Sequence, residues 1–166
     1  IVTADPHAFH CLKNEYADFG GHYDVYHHTG FFADLVKNDK IKLNTNHAIS
    51  LTYHDPCYLG RANGEYEAPR DLLRKLEVEL VEMKRCKTNG LCCGAGGAQM
   101  FKEPEAGSKD INVERTEEAV ETGASIVATG CPFCNTMMTD GVKHGEKEGD
   151  VEVMDVAEMI ANASEL

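Results

Sequence analysis

Apolar positions along the chain follow two periods that take turns. Runs rich in β-branched residues at 1–4, 23–27, 49–54, 79–83, 125–129 and 151–154 are short and bounded by turn-forming residues, the pattern of strands. Between them, residues 32–37, 69–76, 112–122, 135–142 and 155–163 carry apolar side chains at helical spacing, with Gly123 as a stop after the third segment. Strands alternating with helices predict an α/β fold, with Rossmann-like layers of helix around a mostly parallel sheet. The polar stretch 38–47 has the composition of a linker or edge loop, so a lobe boundary is placed within it, dividing 1–45 from 46–166. The two parts share a faint internal echo. Ile1-Val2-Thr3-Ala4-Asp5-Pro6-His7-Ala8 reads as strand, X-Pro-X-X, then helix, and so does Ile126-Val127-Ala128-Thr129-Gly130-Cys131-Pro132-Phe133-Cys134, with cysteines where the first copy has Asp5 and Ala8.

With 166 residues and 42% hydrophobic content, the chain suffices for one sizeable core or for two small lobes sharing an interface. No apolar run approaches the roughly 20 residues that span a bilayer, so no membrane span is expected. Ile1-Val2-Thr3-Ala4 has neither an initiator Met nor the charged front of a secretory signal. The expectation is a piece of a longer, cytoplasmic protein, peripheral to the membrane at most through partners. A net charge of −12, from 16 basic and 28 acidic residues, argues against nucleic acid as a partner and is read as a solvated acidic surface.

Seven cysteines are many for a chain without a secretory signal, and an odd number cannot pair completely. Metal or redox chemistry therefore leads. Three segments carry it: Cys57 in His54-Asp55-Pro56-Cys57-Tyr58, the run Cys92-Cys93-Gly94-Ala95-Gly96-Gly97, and Cys131-Pro132-Phe133-Cys134. Each lies where a strand should end, and in an α/β sheet the carboxyl ends of strands share one edge, so the three loops can surround a common point. Thiolates converging from several loops are what an iron–sulfur cluster requires. Gly94, Gly96 and Gly97 would let backbone N–H groups approach cluster sulfur closely. Cys131-Pro132-Phe133-Cys134 alone would also suit a metal-free dithiol site, but that leaves Cys57 and the Cys92-Cys93 pair without a role.

The spacing, with 34 residues between Cys57 and Cys92 and 37 between Cys93 and Cys131, resembles the cysteine-rich CCG motif of heterodisulfide reductase catalytic subunits. Relatives of those subunits include iron–sulfur subunits of glycolate, lactate and glycerol-3-phosphate oxidoreductases and membrane-linked partners of electron-transfer flavoprotein. Asp55-Pro56-Cys57-Tyr58-Leu59-Gly60-Arg61 and the two later cysteine segments fit the pattern, and the likeness runs from Leu12-Lys13-Asn14-Glu15-Tyr16 to Asp155-Val156-Ala157-Glu158. The resemblance implies pseudo-symmetric CCG lobes, with 1–45 the tail of a first lobe whose ligands are absent and 46–166 a complete second lobe. It implies a 4Fe-4S cluster on Cys57, Cys92, Cys93, Cys131 and Cys134, of a non-cubane form with bridging thiolates because five thiolates exceed the four of a cubane. The expected function is electron relay between a flavin or dehydrogenase partner and an acceptor, beside other subunits or domains such as a flavoprotein or a ferredoxin-like domain. A heterodisulfide reductase catalytic domain and a structural zinc module are the alternatives.

Cys11 and Cys86 fall outside the motif and are read as packing residues. Asp5, His7, His10 and Cys11 are all capable of binding metal, but surface or supporting roles are the simpler expectation. His27, His28 and His54 are expected to be loop histidines bonded to backbone, with His54, three residues before Cys57, the best placed of the three to tune the cluster or relay a proton. Met83, Met137 and Met138 are read as packing residues. No nucleotide-binding loop is expected, since Gly94-Ala95-Gly96-Gly97 is not followed by Lys-Ser or Lys-Thr.

Overall fold

A computed structural model of the protein describes residues 1–44, 49–103 and 106–164. All six strands read from the sequence form, five of them shorter than expected and the sixth shifted by one residue: β1 (Val2–Thr3), β2 (Tyr26–His27), β3 (Ser50–Tyr53), β4 (Glu79–Leu80), β5 (Ile126–Thr129) and β6 (Glu152–Asp155). Every pairing among these strands is parallel. β1 and β2 make one small sheet, and the other four form a second in the order β4-β3-β5-β6.

The five expected helices are α2 (His28–Lys37), α4 (Glu67–Arg74), α5 (Ile111–Val120), α6 (Pro132–His144) and α7 (Val156–Ala163). Gly123, at φ +75°, ends the segment that follows α5, as a residue without Cβ can. Two short helices accompany them, α1 (Pro6–His10) and α3 (Cys57–Gly60). α1 is the helix implied by the internal echo. Its continuation through a π turn (Cys11–Glu15) and a 3-10 turn (Tyr16–Phe19) extends the helical spacing of Phe9, Leu12, Tyr16 and Phe19, although Tyr16 and Phe19 are exposed.

The larger sheet is covered on both faces, which is why its central strands read as nearly continuous apolar runs. Along β5, Ile126 and Ala128 point to one layer with Leu51, Tyr53, Leu72, Leu73, Val156 and Ile160, while Val127 points to the other with Met83, Ala119, Met138 and Val142. α4 and α7 thus pack on one face, and α5 and α6 on the other. Phe32, Ala33 and Val36 of α2 add to the first layer, so the helix that follows the small sheet shares the main core. The expected boundary at residues 45 and 46 lies outside the described residues. Among the described residues no helix is long and apolar enough to cross a membrane.

The strand order has one consequence for the site. From β3 the chain crosses to β4 on one side, then returns past β3 to β5 on the other. The direction of winding therefore reverses between β3 and β5, and the loops leaving their carboxyl ends part around a crevice, the usual ligand position in open parallel sheets.

Candidate metal centre

Cys57 and Cys131 enter that crevice from neighbouring strands. β3 runs through Tyr53 to His54-Asp55-Pro56, and Pro56 in extended conformation turns the chain so that Cys57 opens α3. β5 ends at Thr129, and Cys131 caps α6 with Pro132 as its first residue, where a missing N–H costs nothing. Cys134 lies three positions on, so it shares the face of Cys131. All five motif cysteines line one cavity of about 170 Å³, together with Pro6, His7, Tyr58, Phe133 and the backbone of residues 95–97. Cys93, Cys131 and Cys134 are buried, whereas Cys57 and Cys92 are half-buried. Cys11 and Cys86 are not in its lining. A separate cavity of about 910 Å³ lies between the small sheet, α2 and α4, and no cysteine lines it.

The Cys92-Cys93 segment has little regular structure, and side chains hold it in place. Asp55 accepts from both terminal nitrogens of Arg70, at 2.7 and 2.9 Å, and from the backbone N–H of Lys87 at 2.7 Å. Arg70 continues to both oxygens of Glu82 and is itself fully buried. Arg61 donates to the carbonyl of Gly90. From α5, Glu118 accepts from the N–H and the side chain of Arg85, and Arg115 donates to the Arg85 carbonyl at 2.7 Å. The approach to Cys92 is thus pinned from three directions. Neither Arg70 nor Arg115 stood out in the sequence, although each interrupts the inward face of a helix, between Pro69 and Leu72 and between Val113 and Thr116.

Beyond the cysteines the chain turns sharply. Gly94 and Gly97 have φ of +94° and +65°, and a Cβ on Gly94 would lie 3.2 Å from the backbone N of Asn112. That turn aims backbone donors at sulfur, with Gly94 N–H 3.3 Å from Cys92 Sγ. A thiol hydrogen bond from Cys57, then one from Cys93, brings the Cys92 pKa far below its ordinary value, and the Gly94 and Gly96 amides act in the same direction. Its partner Cys57 is correspondingly pushed up, by that hydrogen bond and by burial. Cys131 is lowered by a bond from Cys134 and by the amides of Cys134 and Phe133 at the start of α6, while Cys134 is raised. Cys93 is pushed up to about 12, since its bond from Cys134, which lowers it, is outweighed by Cys92 and burial together. Without a bound cation the pocket thus favours negative charge at Cys92 and Cys131 and opposes it at Cys57, Cys93 and Cys134.

The remaining candidates have separate roles. Asp5 caps α1 and accepts from His7 Nδ1 at 3.0 Å, with the His7 ring stacked on Tyr58 at 4.1 Å between centroids. His10 is bonded to Asn14 and Asn63. Among the described residues, the one group of potential metal ligands with donor atoms within 4.8 Å of one another is His54, Cys93 and Cys134. His27 ends β2 and His28 opens α2, so neither lies in a loop; both are buried, and they bond to the Thr29 and Asp155 side chains at 2.8 and 2.9 Å. His54 is fully buried and its pKa is lowered to about 3 by burial and by the charge of Arg115. Met83 and Met138 lie in the core, and Met137 packs against the cysteines.

A family model described as a cysteine-rich domain, CCG, matches residues 51–139, more than half of the chain and the segment that contains all five cysteines. Among curated proteins, the chain is 48% identical to the probable iron-sulfur-binding oxidoreductase FadF of Bacillus subtilis, over 98% of this chain and 23% of that protein. It is 43% identical to the EtfAB:quinone oxidoreductase of Syntrophomonas wolfei, over 99% and 24%. One of the subunits of the dihydromethanophenazine:CoB--CoM heterodisulfide reductase of Methanosarcina barkeri is 40% identical, over 85% and 34%. The chain spans about a quarter to a third of the length of these relatives.

Proposed function

Because the chain belongs to the family of CCG cysteine-rich domains, we propose that Cys57, Cys92, Cys93, Cys131 and Cys134 hold one iron–sulfur cluster and that the domain moves single electrons within a larger oxidoreductase. The observation that carries this reading is the convergence of all five thiols on one cavity at the switch point of the parallel sheet. The donor set fits the group. Five thiols exceed what tetrahedral zinc or a cubane takes, which favours a non-cubane 4Fe-4S form with bridging thiolates over a zinc module. Backbone amides already aimed at the sulfurs, and a left-handed glycine turn with no side chain in the way, suit a cluster that carries negative charge. Iron–sulfur binding in the name of one relative and a quinone oxidoreductase activity in that of another support the same conclusion.

When bound, such a cluster supplies one-electron exchange. The chain's own residues do the rest. Burial of Cys93, Cys131 and Cys134 keeps water from the inner sulfurs, and the amides of residues 94–96 offset thiolate charge. Half-buried Cys57 and Cys92, beside Tyr58, mark the side nearest to a partner. We take that partner to be a flavoprotein or ferredoxin-like domain as donor, with a quinone-side or other carrier as acceptor, on the cytoplasmic side of the membrane. Residues 1–45 are the tail of a first lobe. There Asp5 and Ala8 replace the thiols of a Cys-Pro-x-Cys turn, and Asp5 is engaged with His7. With Asp5 and Ala8 in those places, the site is suited to relay and not to splitting a disulfide between two clusters.

Anaerobic reconstitution with iron and sulfide tests this. About four irons per chain are expected, with a brown protein that exchanges electrons rapidly with an artificial one-electron carrier and turns over a simple disulfide negligibly. Serine at Cys92 or Cys131 should abolish or degrade the cluster, whereas Cys86→Ser should leave the iron content unchanged. A colourless zinc protein, equal iron loss at Cys86, or fast disulfide turnover that disappears in Cys131→Ser would each overturn the assignment.

A further inference from the structure

His54 leaves β3 three residues before Cys57 and lies fully buried behind the cysteines. Its Nδ1 is 3.0 Å from Nε of Arg115, which reaches it from α5. A guanidinium N–H can only donate, so Nδ1 must be the accepting nitrogen and the proton of the neutral ring must sit on Nε2. Arg115 has no freedom to do otherwise, because its Nη1 is bound to the Arg85 carbonyl at 2.7 Å and to Glu118 at 3.2 Å. Nε2 is buried and, among the described residues, makes no hydrogen bond to oxygen, nitrogen or sulfur. A ring nitrogen of His54 lies within 4.8 Å of Sγ of both Cys93 and Cys134, and Nε2 is the nitrogen with a bond still to make.

Resting on the cluster reading above, we infer that Arg115 locks His54 in the Nε2–H tautomer, leaving an unpartnered donor beside the Cys93 and Cys134 sulfurs that would bond to sulfur of the bound centre and raise its potential. The same geometry excludes two other roles. A histidine that binds metal through one nitrogen ordinarily keeps its proton on the other. Here that other nitrogen faces an N–H, so ligation through Nε2 would require an imidazolate. Proton relay fails for a related reason, since a doubly protonated ring would set Nδ1–H against the Nε–H of Arg115. His54 is therefore a positioning residue that acts on the cluster through its sulfur. Donors to cluster sulfur favour the reduced state, whose negative charge is greater.

Nitrogen-15 NMR of the metal-free full chain, labelled at histidine, reads the tautomer directly and should show protonated Nε2 and bare Nδ1 for His54. In the reconstituted protein, His54→Leu removes the donor, while His54→Gln keeps an N–H close to the position of Nε2. The Leu variant should retain iron, with reduction disfavoured about tenfold, which is 59 mV for a one-electron couple. The Gln variant should retain iron and recover most of that loss. A proton on Nδ1, a wild-type potential in His54→Leu, or loss of iron from His54→Gln overturns the inference. Failure of the wild-type chain to take up iron and sulfide would overturn the cluster reading instead, and the nitrogen spectrum would still decide where the proton lies.

Discussion

Asp55 immediately precedes Pro56-Cys57, yet its carboxylate holds both Arg70 and the N–H of Lys87, five residues before Cys92. One side chain thereby fixes the spacing of two cysteine loops. Arg70 and Asp55 are both buried, so removing the carboxylate leaves a guanidinium in the interior with Glu82 as its remaining anion. Asp55→Ala should cost about 3–5 kcal/mol, the range for breaking a buried pair from one side, measured as a fall in the urea midpoint. Asp55→Asn keeps an acceptor of the same shape and should lose less. Because the Cys92 approach hangs on the same carboxylate, iron uptake should fall with stability in Asp55→Ala, whereas an exposed pair such as Lys147–Asp150 should affect neither.

At the scale of elements, α5 and α6 meet across Gly141. A Cβ there would lie 2.1 Å from Thr116 Oγ1, 2.8 Å from Thr116 Cβ and 2.9 Å from the Asn112 carbonyl oxygen. Alanine would favour the helix by about 1 kcal/mol in an open position. Here overpacking, at about 1–3 kcal/mol, opposes it, and the backbone carbonyl cannot rotate away. Gly141→Ala should therefore lower the melting temperature, and Thr116→Ala should restore only part of the loss. The N-terminus of α5 also supports the glycine turn, since Gly94 sits against Asn112 and Ile111. A shift of α5 away from α6 would thus reach the Cys92-Cys93 segment.

Where the small sheet meets the larger one, His27 and His28 lie buried side by side. His27 bonds Thr29 and packs edge-on against Phe9, while His28 binds Asp155 at the N-terminus of α7. Burial first, and the neighbouring His28 second, lower the His27 pKa to about 4, with Asp155 and the Ala4 and Gly130 backbones opposing. Above pH 6.5 the ring is neutral in folded and unfolded chains alike, and the folded state has its full stability. As pH falls from 6.5 toward 4, the unfolded chain takes up the proton first, so stability is lost in that window, on the order of 3 kcal/mol in all. Denaturation followed against pH should show His27→Gln with a shallower acid slope than the wild type and no difference in slope between pH 7 and 9. Equal slopes below pH 6.5 would refute the assignment.

The alternation of apolar periods was enough to locate all six strands and five helices, because strands covered on both faces and helices with one buried stripe leave their signatures locally. The cysteine spacing likewise singled out five of seven thiols, since a set of ligands has to be supplied by side-chain type and nothing else can replace it. What no local pattern could supply was the strand order. Placing β3 beside β5 brings Cys57 and Cys131 to one cavity, and that convergence depends on pairings between residues far apart in the chain, such as Tyr53 with Ala128. The roles of Arg70, Arg115 and Glu118 were hidden for the same reason. In sequence each is one more charged residue on a helix, and only the packed structure places each against its partner, Asp55, His54 or Arg85, contributed by another element. Side-chain identity fixed the chemistry available to this protein, while the burial and long-range contacts of the tertiary fold decided which groups share one low-dielectric site, because desolvation and hydrogen-bond geometry exist only after the elements have packed.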